Sequence, residues 1–502
     1  MITAAAPAVY PVRLLSPGSF TQLREFLQNI GFHKIDIEKT LRINAFGDPS
    51  MRVQMDLGAL EGALRIMGEL FFAGLGKEPA DVTSMLGDDF TRLLESFGLL
   101  QRLEDGRLAS TVALYPSNDL LIVSDRWAEV NGDYPQFAPD VVYPAIQGTT
   151  RGFLAMVPAS PCERFLEACA GTGIAAMLAA KNGTKHAWAA DLAARSVYFA
   201  EFNRRLNGLD NVTCVQGDLY GPLKGGTKFD RIVAHPPYVP VLEPKYVFYD
   251  GGEDGEQIVR RLIQELPEVL DDKGLFLCVS LGTDRKDNPF EQRVRAWLGD
   301  KADEFDVAFF VRTEMEPAVQ ALRDVVRGRG SIEEVQKWRE ILAKLQISNF
   351  VFGATYIHRH AQRRKGYTIR RTMGEDSGLA DVGRILDWER AVASGAAVDL
   401  LRTTPLEANP TIRLEATYMI ENHAWAAGQQ HLIVDKPFKM NLEAPNWTLR
   451  ILELCDGTLT GPQILEKMQQ EEIIGADTTF EHFCNVLISL VSGGYIALVE
   501  KK

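Results

Sequence analysis

Between about residues 164 and 360, short apolar runs rich in β-formers alternate with stretches of helix length: RFLEACAG, HAWAAD, VTCVQGD, FDRIVAHPPY, GLFLCVSLG, FDVAFFVRTE and NFVFGATYIHRH. Seven such runs predict a doubly wound α/β sheet of Rossmann-like form, seven-stranded with helices on both faces. A helical insertion, roughly 315 to 348, separates the last two. On the N-terminal side, FTQLREFLQNIGF and LEGALRIMGELFFAGL carry apolar residues at helical spacing. DDFTRLLESFGLLQRLEDGRLASTVALYP then reads as helix, short strand, charged turn at Glu104 to Arg107 and strand, the outline of a winged helix. TLRILELCDGTLTGPQILEKM and TFEHFCNVLISLVSGGYIALVEKK repeat that outline at the C-terminal end, with a turn at Gly493 and Gly494. The expected organisation is a helical and winged-helix-like domain over 1–140, a central α/β domain over 141–375, and a domain over 376–502 ending in a winged-helix-like module.

Ligands of an open α/β sheet sit beyond the carboxyl ends of its strands, near the switch point, so the candidate chemistry lies just after each run. The first run ends in EACAGTG, with Glu167, Cys169, Gly171 and Gly173. Glycines there let the backbone turn tightly and approach a ligand, although a plain strand-to-helix turn asks for the same residues. Asp191 ends the second run, some 20 residues on, where a carboxylate can accept hydrogen bonds from ribose hydroxyls. The glycine pattern is shorter than GxGxxG, and the acidic Glu167 before it would repel a pyrophosphate and suit a cationic ligand. Asp218 and Leu219 follow the third run; Asp218 can accept from an exocyclic amine or serve as an N-cap. The fourth run ends in His235, Pro236, Pro237 and Tyr238. Two prolines neither donate backbone hydrogen bonds nor continue a helix, so they make a stiff extended turn with its carbonyls held in fixed directions.

Taken together, FLEACAGTG, Asp191, Asp218 and HPPY resemble the class I S-adenosylmethionine-dependent methyltransferases over about 150 to 360. Glu167 stands at that family's acidic position and Gly171 and Gly173 at its last two glycines, while Cys169 replaces the first. The resemblance implies S-adenosyl-L-methionine as cofactor, with Asp191 on the ribose, Asp218 on the adenine amine, Leu219 and His235 beside it, and the Gly171–Gly173 loop on the methionine part. HPPYVP followed by YDGGEDGEQIVRRLI is similar to the HemK-like branch, including the RlmG-type guanine methyltransferases of ribosomal RNA. In that branch an Asn or Asp stands where this chain has His235. The resemblance makes His235, Pro236 and Tyr238 catalytic: the first two accept from an N–H acceptor group and Tyr238 walls a planar substrate. A neutral His accepts one bond, so methyl transfer to nitrogen survives; a His titrating near neutrality is also a general base for an oxygen nucleophile. VYPAIQGTTRGFLAMVP, 142 to 158, lies where the family folds a lid, and DGGEDGEQ, 250 to 257, either caps a helix through Asp254 or closes over substrate.

Composition narrows the partners. A chain of 502 residues, 46% hydrophobic and 24% charged, buries large cores. Its net charge of −13 opposes wholesale wrapping of nucleic acid. YIHRHAQRRKGYTIRRT, 356 to 372, is the local exception; its cations and its tyrosines Tyr356 and Tyr367 suit phosphates and unpaired bases, or else a solvated sheet edge. Six scattered cysteines without CxxC spacing predict reduced thiols in a cytoplasm and no zinc site. His358 and His360 lack a third ligand, so no metal is expected. No apolar run approaches the roughly 20 residues of a membrane span, and Pro7 and Pro11 break the N-terminal stretch. Two functions remain: a cytoplasmic methyltransferase acting on RNA, protein or a small molecule, or a cofactor-sensing module that binds nucleic acid or protein without catalysis.

Overall fold

The computed structural model describes residues 10–35, 57–126, 138–317, 332–360, 364–421 and 423–499. The chain divides into two compact units, Met1–Thr283 with Pro317–Ser348, and Asp284–Glu316 with Asn349–Lys502. These borders differ from the expected 140 and 375, and packing gives the reason.

In the first unit, helix α1 (Pro17–Asn29) starts where the Ser16 hydroxyl accepts from the Ser19 amide and Pro17 presets the first turn. Its buried stripe is Phe20, Leu23 and Leu27. Helices α2 (Gly62–Phe71), α3 (Pro79–Leu86) and α4 (Asp88–Ser96) follow, then the antiparallel pair β1 (Leu100–Arg102) and β2 (Leu108–Ser110). Lys77, between α2 and α3, exchanges two backbone bonds of 2.8 Å with Leu108. The charged turn lies between β1 and β2, where the Asp105 carboxylate accepts from the Arg107 amide. A second antiparallel pair, β3 (Ala113–Ser117) and β4 (Leu120–Ser124), leads to α5 (Gly148–Met156).

Five strands then form a parallel sheet: β5 (Arg164–Ala168), β6 (His186–Asp191), β7 (Val212–Gln216), β8 (Phe229–Ala234) and β9 (Leu270–Arg285), in the order β7-β6-β5-β8-β9. Helices α6 (Ile174–Lys181), α7 (Ala194–Asn207) and α8 (Gln257–Val269) make the crossovers. The chain builds outward from β5 to β7 and returns to the other side of β5 with β8. That reversal opens a crevice at the carboxyl ends of β5 and β8, and the fold is α/β and Rossmann-like.

The N-terminal elements do not form a core of their own. Phe20 of α1, Phe97 after α4 and Phe202 of α7 meet edge to face with ring centroids 4.8, 5.1 and 5.7 Å apart, and one hydrophobic cluster runs from Val12 to Leu206. Two asparagines on α7 add a polar seam. Asn203 accepts from the Val123 amide at 2.7 Å and donates to the Val123 carbonyl at 3.0 Å and the Thr172 carbonyl at 3.2 Å. One turn on, Asn207 accepts from the Leu121 amide and donates to its carbonyl. The two side-chain amides thus satisfy β4 as a neighbouring strand would.

The second unit holds the remaining two expected strands, β10 (Phe305–Met315) and β11 (Ile347–Arg359), as an antiparallel pair. They do not stand alone. β12 (Thr368–Met373) runs parallel to β10, and β14 (Arg413–Glu421), β15 (Ala424–Val434) and β16 (Phe438–Glu443) extend the order to β11-β10-β12-β16-β15-β14. A seven-stranded limit therefore fails: β12 to β16 have few of the long apolar runs that mark buried strands. Three helices, Asn446–Leu454, Gly461–Gln470 and Phe480–Ser492, precede β17 (Ile496–Leu498), which pairs antiparallel with β13 (Leu406–Ala408).

The basic stretch 356–372 is not a free cationic face. Arg359 pairs with Glu304, Arg364 with Asp306, Arg370 with Asp284, Glu291 and Glu314, and Arg371 with Glu389. Tyr356 is buried. Acids distant in sequence neutralise four of the six cations of the stretch, which disfavours the nucleic-acid alternative there. Residues 361–363 of this stretch lie outside the described residues. Among the described residues no group of His, Cys, Asp and Glu could hold a metal, and no helix is long and apolar enough to cross a membrane.

Asn203→Ala should destabilise the chain by about 2–4 kcal/mol, because it leaves the Val123 amide and carbonyl buried without partners. Urea denaturation followed by circular dichroism measures it, and an exposed control such as Gln264→Ala should change the midpoint far less.

Candidate active site

A cavity of about 1260 Å³ opens at the carboxyl ends of the parallel strands and is lined by the turns after β5, β6, β7 and β8 and by α5. Parallel pairing brings all these ends to one edge. Glu167, Cys169, Gly171, Asp191, Asp218, Leu219, His235, Pro236 and Tyr238 line the cavity. Gly173 is not among the lining residues. It caps α6 with φ 75°, and a Cβ there would crowd Met177, Ala200 and Ala189 at 3.1–3.4 Å, so its service is helix-to-sheet packing.

Glu167 is buried and turned toward the start of α6, where its Oε2 accepts from the Ala176 amide at 2.8 Å. Burial pushes its carboxyl up to about 8 against those backbone bonds. Its first task is therefore to satisfy the free amides of the helix N-terminus, rather than to offer an open charge to a cation. Cys169 stands in the left-handed region at φ 56°. The loop keeps a glycine-type backbone with a side chain on it, at a cost of about 1 kcal/mol. Gly171, φ 53°, faces open space: a Cβ built on it meets nothing within 4 Å.

Asp191 ties two turns together. Its Oδ2 accepts from the Gly171 amide at 2.8 Å and its Oδ1 from the Ala193 amide at 2.9 Å. Burial still holds its carboxyl above the usual value. The Ser196 side chain and the Leu192 amide bond to the same carboxylate, which lines the cavity. Asp218 is paired with Arg261 of α8 at 2.7 Å. Arg261, 43 residues away, lines the same cavity, and sequence spacing gave no sign of the pair.

His235 ends β8 with its ring stacked on Phe153 of α5, centroids 5.3 Å apart and planes at 14°. Tyr238 is tilted against it at 5.6 Å. The Nε2 of His235 is enclosed without a hydrogen-bond partner, and burial lowers its pKa from 6.5 to about 4. A general base titrating near neutrality is therefore not what the fold supplies; the imidazole is neutral at ordinary pH. Tyr238 is bonded to Thr149, and burial raises its hydroxyl. The segment 250–257 packs on the proline turn rather than standing free. Val239 and Gly251 share a backbone bond of 2.8 Å, and a Cβ on Gly255 would lie 2.5 Å from the Tyr238 carbonyl oxygen. Asp254 accepts from the Glu256 amide and from Arg260, but the N-cap of α8 is Glu256 and no side chain caps that helix, so the capping expected of Asp254 is not what the structure shows. Tyr143, Tyr246, Phe248 and Tyr249 complete an aromatic rim on the cavity, with Tyr143 and Phe248 stacked at 5.3 Å.

Residues 145–296 match the family model of the methyltransferase small domain. The ribosomal protein uL3 glutamine methyltransferase of Bradyrhizobium diazoefficiens is 34% identical over 170 residues, 31% of this chain and 52% of that protein. The release factor glutamine methyltransferase of Bacillus cereus is 36% identical over 129 residues, 22% of this chain and 45% of that protein. The chain thus spans about half the length of these relatives. A solved S-adenosylmethionine-dependent methyltransferase from Agrobacterium tumefaciens aligns over 54% of this chain and 80% of its own, at 12% identity and a TM-score of 0.29. Residues 145–296 are thus similar to the class I S-adenosylmethionine-dependent methyltransferases of the HemK-like branch.

Proposed function

We propose that the chain transfers the methyl group of S-adenosyl-L-methionine to a nitrogen presented at His235, Pro236 and Tyr238, with a protein side-chain amide as the favoured acceptor. The single observation that carries this reading is that the glycine turn, both aspartates and the proline turn converge on one cavity. The residues fit the cofactor: Gly171 leaves open space over the turn, and the Asp191 carboxylate lines the cavity beside it. When bound, the cofactor supplies an electrophilic methyl carbon on a sulfonium. Asp191 would hold the ribose, Asp218, oriented by Arg261, the adenine amine, and Leu219 and Cys169 the walls of the site.

The acceptor half is the work of the proline turn. Displacement at a methyl carbon asks mainly for in-line alignment. A neutral imidazole and the carbonyl of Pro236 can each accept from an N–H, which leaves the nitrogen's lone pair directed away from them. Because His235 titrates near 4, deprotonating an alcohol is a poor task for it, and O-methylation becomes the lesser reading. The relatives are glutamine methyltransferases of proteins, which supports a protein acceptor in the cytoplasm. The helical segments at either end, each with a terminal β-pair, suit winged-helix-like modules that select that protein.

Incubating radiolabelled S-adenosylmethionine with cell extract, then separating protein, RNA and small molecules, should place the label in protein. Label in RNA alone would overturn the acceptor class, and no label with cofactor binding intact would favour a sensor. Asp191→Ala should weaken cofactor binding by about 10- to 100-fold, the worth of one or two hydrogen bonds to a charged group, as calorimetry reads it. His235→Ala should keep cofactor affinity and lower kcat by about 100-fold.

His235 also sets a pH signature. Above 6.5 both folded and unfolded states hold it neutral. As pH falls from 6.5 toward 4 the unfolded chain takes the proton first, so folding stability is lost across that window. Wild type should lose more stability than His235→Asn between those limits in urea titrations, and the rate profile should show no inflection near 6.5.

A further inference from the structure

The outer edge of the second unit's sheet is unusual for a protein that acts alone. β14 is the last strand in the order and pairs on one side only among the described residues. Every position from Arg413 to Ile420 is exposed. β15 is backed by β16 only from His431 to Val434, so the outer half of the ribbon, Tyr418 to Ala427, is two strands and nothing more. A two-stranded ribbon is marginal in water. This one nevertheless carries Tyr418, Ile420 and Trp425 at 61, 66 and 72% exposure, with Met419 at 57% and Leu414 at 48%. Ile420 and Trp425 are cross-strand partners.

Edge strands of monomers are ordinarily blunted by lysine, proline or a bulge. Between Leu414 and Val434 there is no Lys, Arg or Pro; the devices present are the acids Glu415 and Glu421 of β14 and an irregularity between Ala416 and Tyr418. The absence of cations also disfavours nucleic acid and anionic lipid as occupants. The strand's own pattern points to a copy of itself. In an antiparallel pairing centred on Thr417, Leu414 faces Ile420 and Ala416 faces Tyr418, all on one face by the period of two. Glu415 falls opposite Met419, so it does not oppose its own copy; a centre at Glu415 would set the two carboxylates against each other. The exposed apolar side chains amount to on the order of 500 Å² per copy, which matches the smaller specific interfaces.

We propose that β14 of one chain pairs antiparallel with β14 of a second copy about a two-fold axis at Thr417, joining the two ribbons into one four-stranded sheet. The interface is isologous and independent of the cofactor cavity, which lies in the other unit.

Light scattering on the full chain over a concentration series tests this. The expected mass rises with concentration toward twice 55.8 kDa, and Ile420→Lys stays at the monomer mass with an unchanged far-ultraviolet spectrum. Residues opposed across an antiparallel pair have Cα atoms about 4.5–5.5 Å apart, within disulfide reach. Thr417→Cys should therefore form an oxidised dimer on a non-reducing gel, while wild type, with its six native cysteines, does not. A mass of 55.8 kDa at every concentration up to the solubility limit overturns the proposal. A dimer that survives Ile420→Lys, or one in which Thr417→Cys forms no cross-link, overturns it too, by placing the contact elsewhere.

Discussion

The cleft depends on one carboxylate. Asp191, at the end of β6, holds the amide of Gly171 in the turn after β5 and the amide of Ala193 before α7. Those two bonds keep the β5 turn open at its left-handed residues and fix where α7 begins. With Glu167 satisfying the start of α6 from behind, the loop has no freedom to collapse into the space it borders. The energetic cost is carried locally: desolvation displaces both carboxyls upward, and Cys169 keeps a backbone that favours glycine.

The same helix that Asp191 positions joins the chain's N-terminal part to the sheet. Phe202 and Asn203 are neighbours on α7, one in the aromatic cluster with Phe20 and Phe97, the other hydrogen-bonded along β4. A module that looks separable by its sequence pattern is therefore built onto the back of the cofactor fold.

At the proline turn, rigidity comes from backbone packing. The proline turn cannot donate, and the glycine-rich segment supplies the donors it lacks, with Gly251 and Gly255 admitting contacts that a side chain would block. The substitution of His235 at the position of a family Asn or Asp is accommodated by an aromatic neighbour, Phe153, which desolvates the ring and keeps it neutral. The consequence is a cavity wall that is apolar, aromatic and short of general-base character.

Strand periodicity made the parallel core legible, because β5, β6, β8 and the middle of β9 are largely buried and read as apolar runs, and strand-end position marked Glu167, Asp191, Asp218 and His235 for the cavity edge. Those inferences rest on local pattern and on the rule that parallel strands end together. What only the tertiary structure decided involves partners distant in sequence. Arg261 on Asp218, Phe153 on His235, and the acids that consume the arginines of 356–372 are separated from their partners by tens of residues. Gly173 shares its motif with Gly171, yet one packs a helix and the other borders the cavity. The unit border falls inside β9 instead of at 140 or 375, because hydrophobic burial and not spacing along the chain determines which elements share a core.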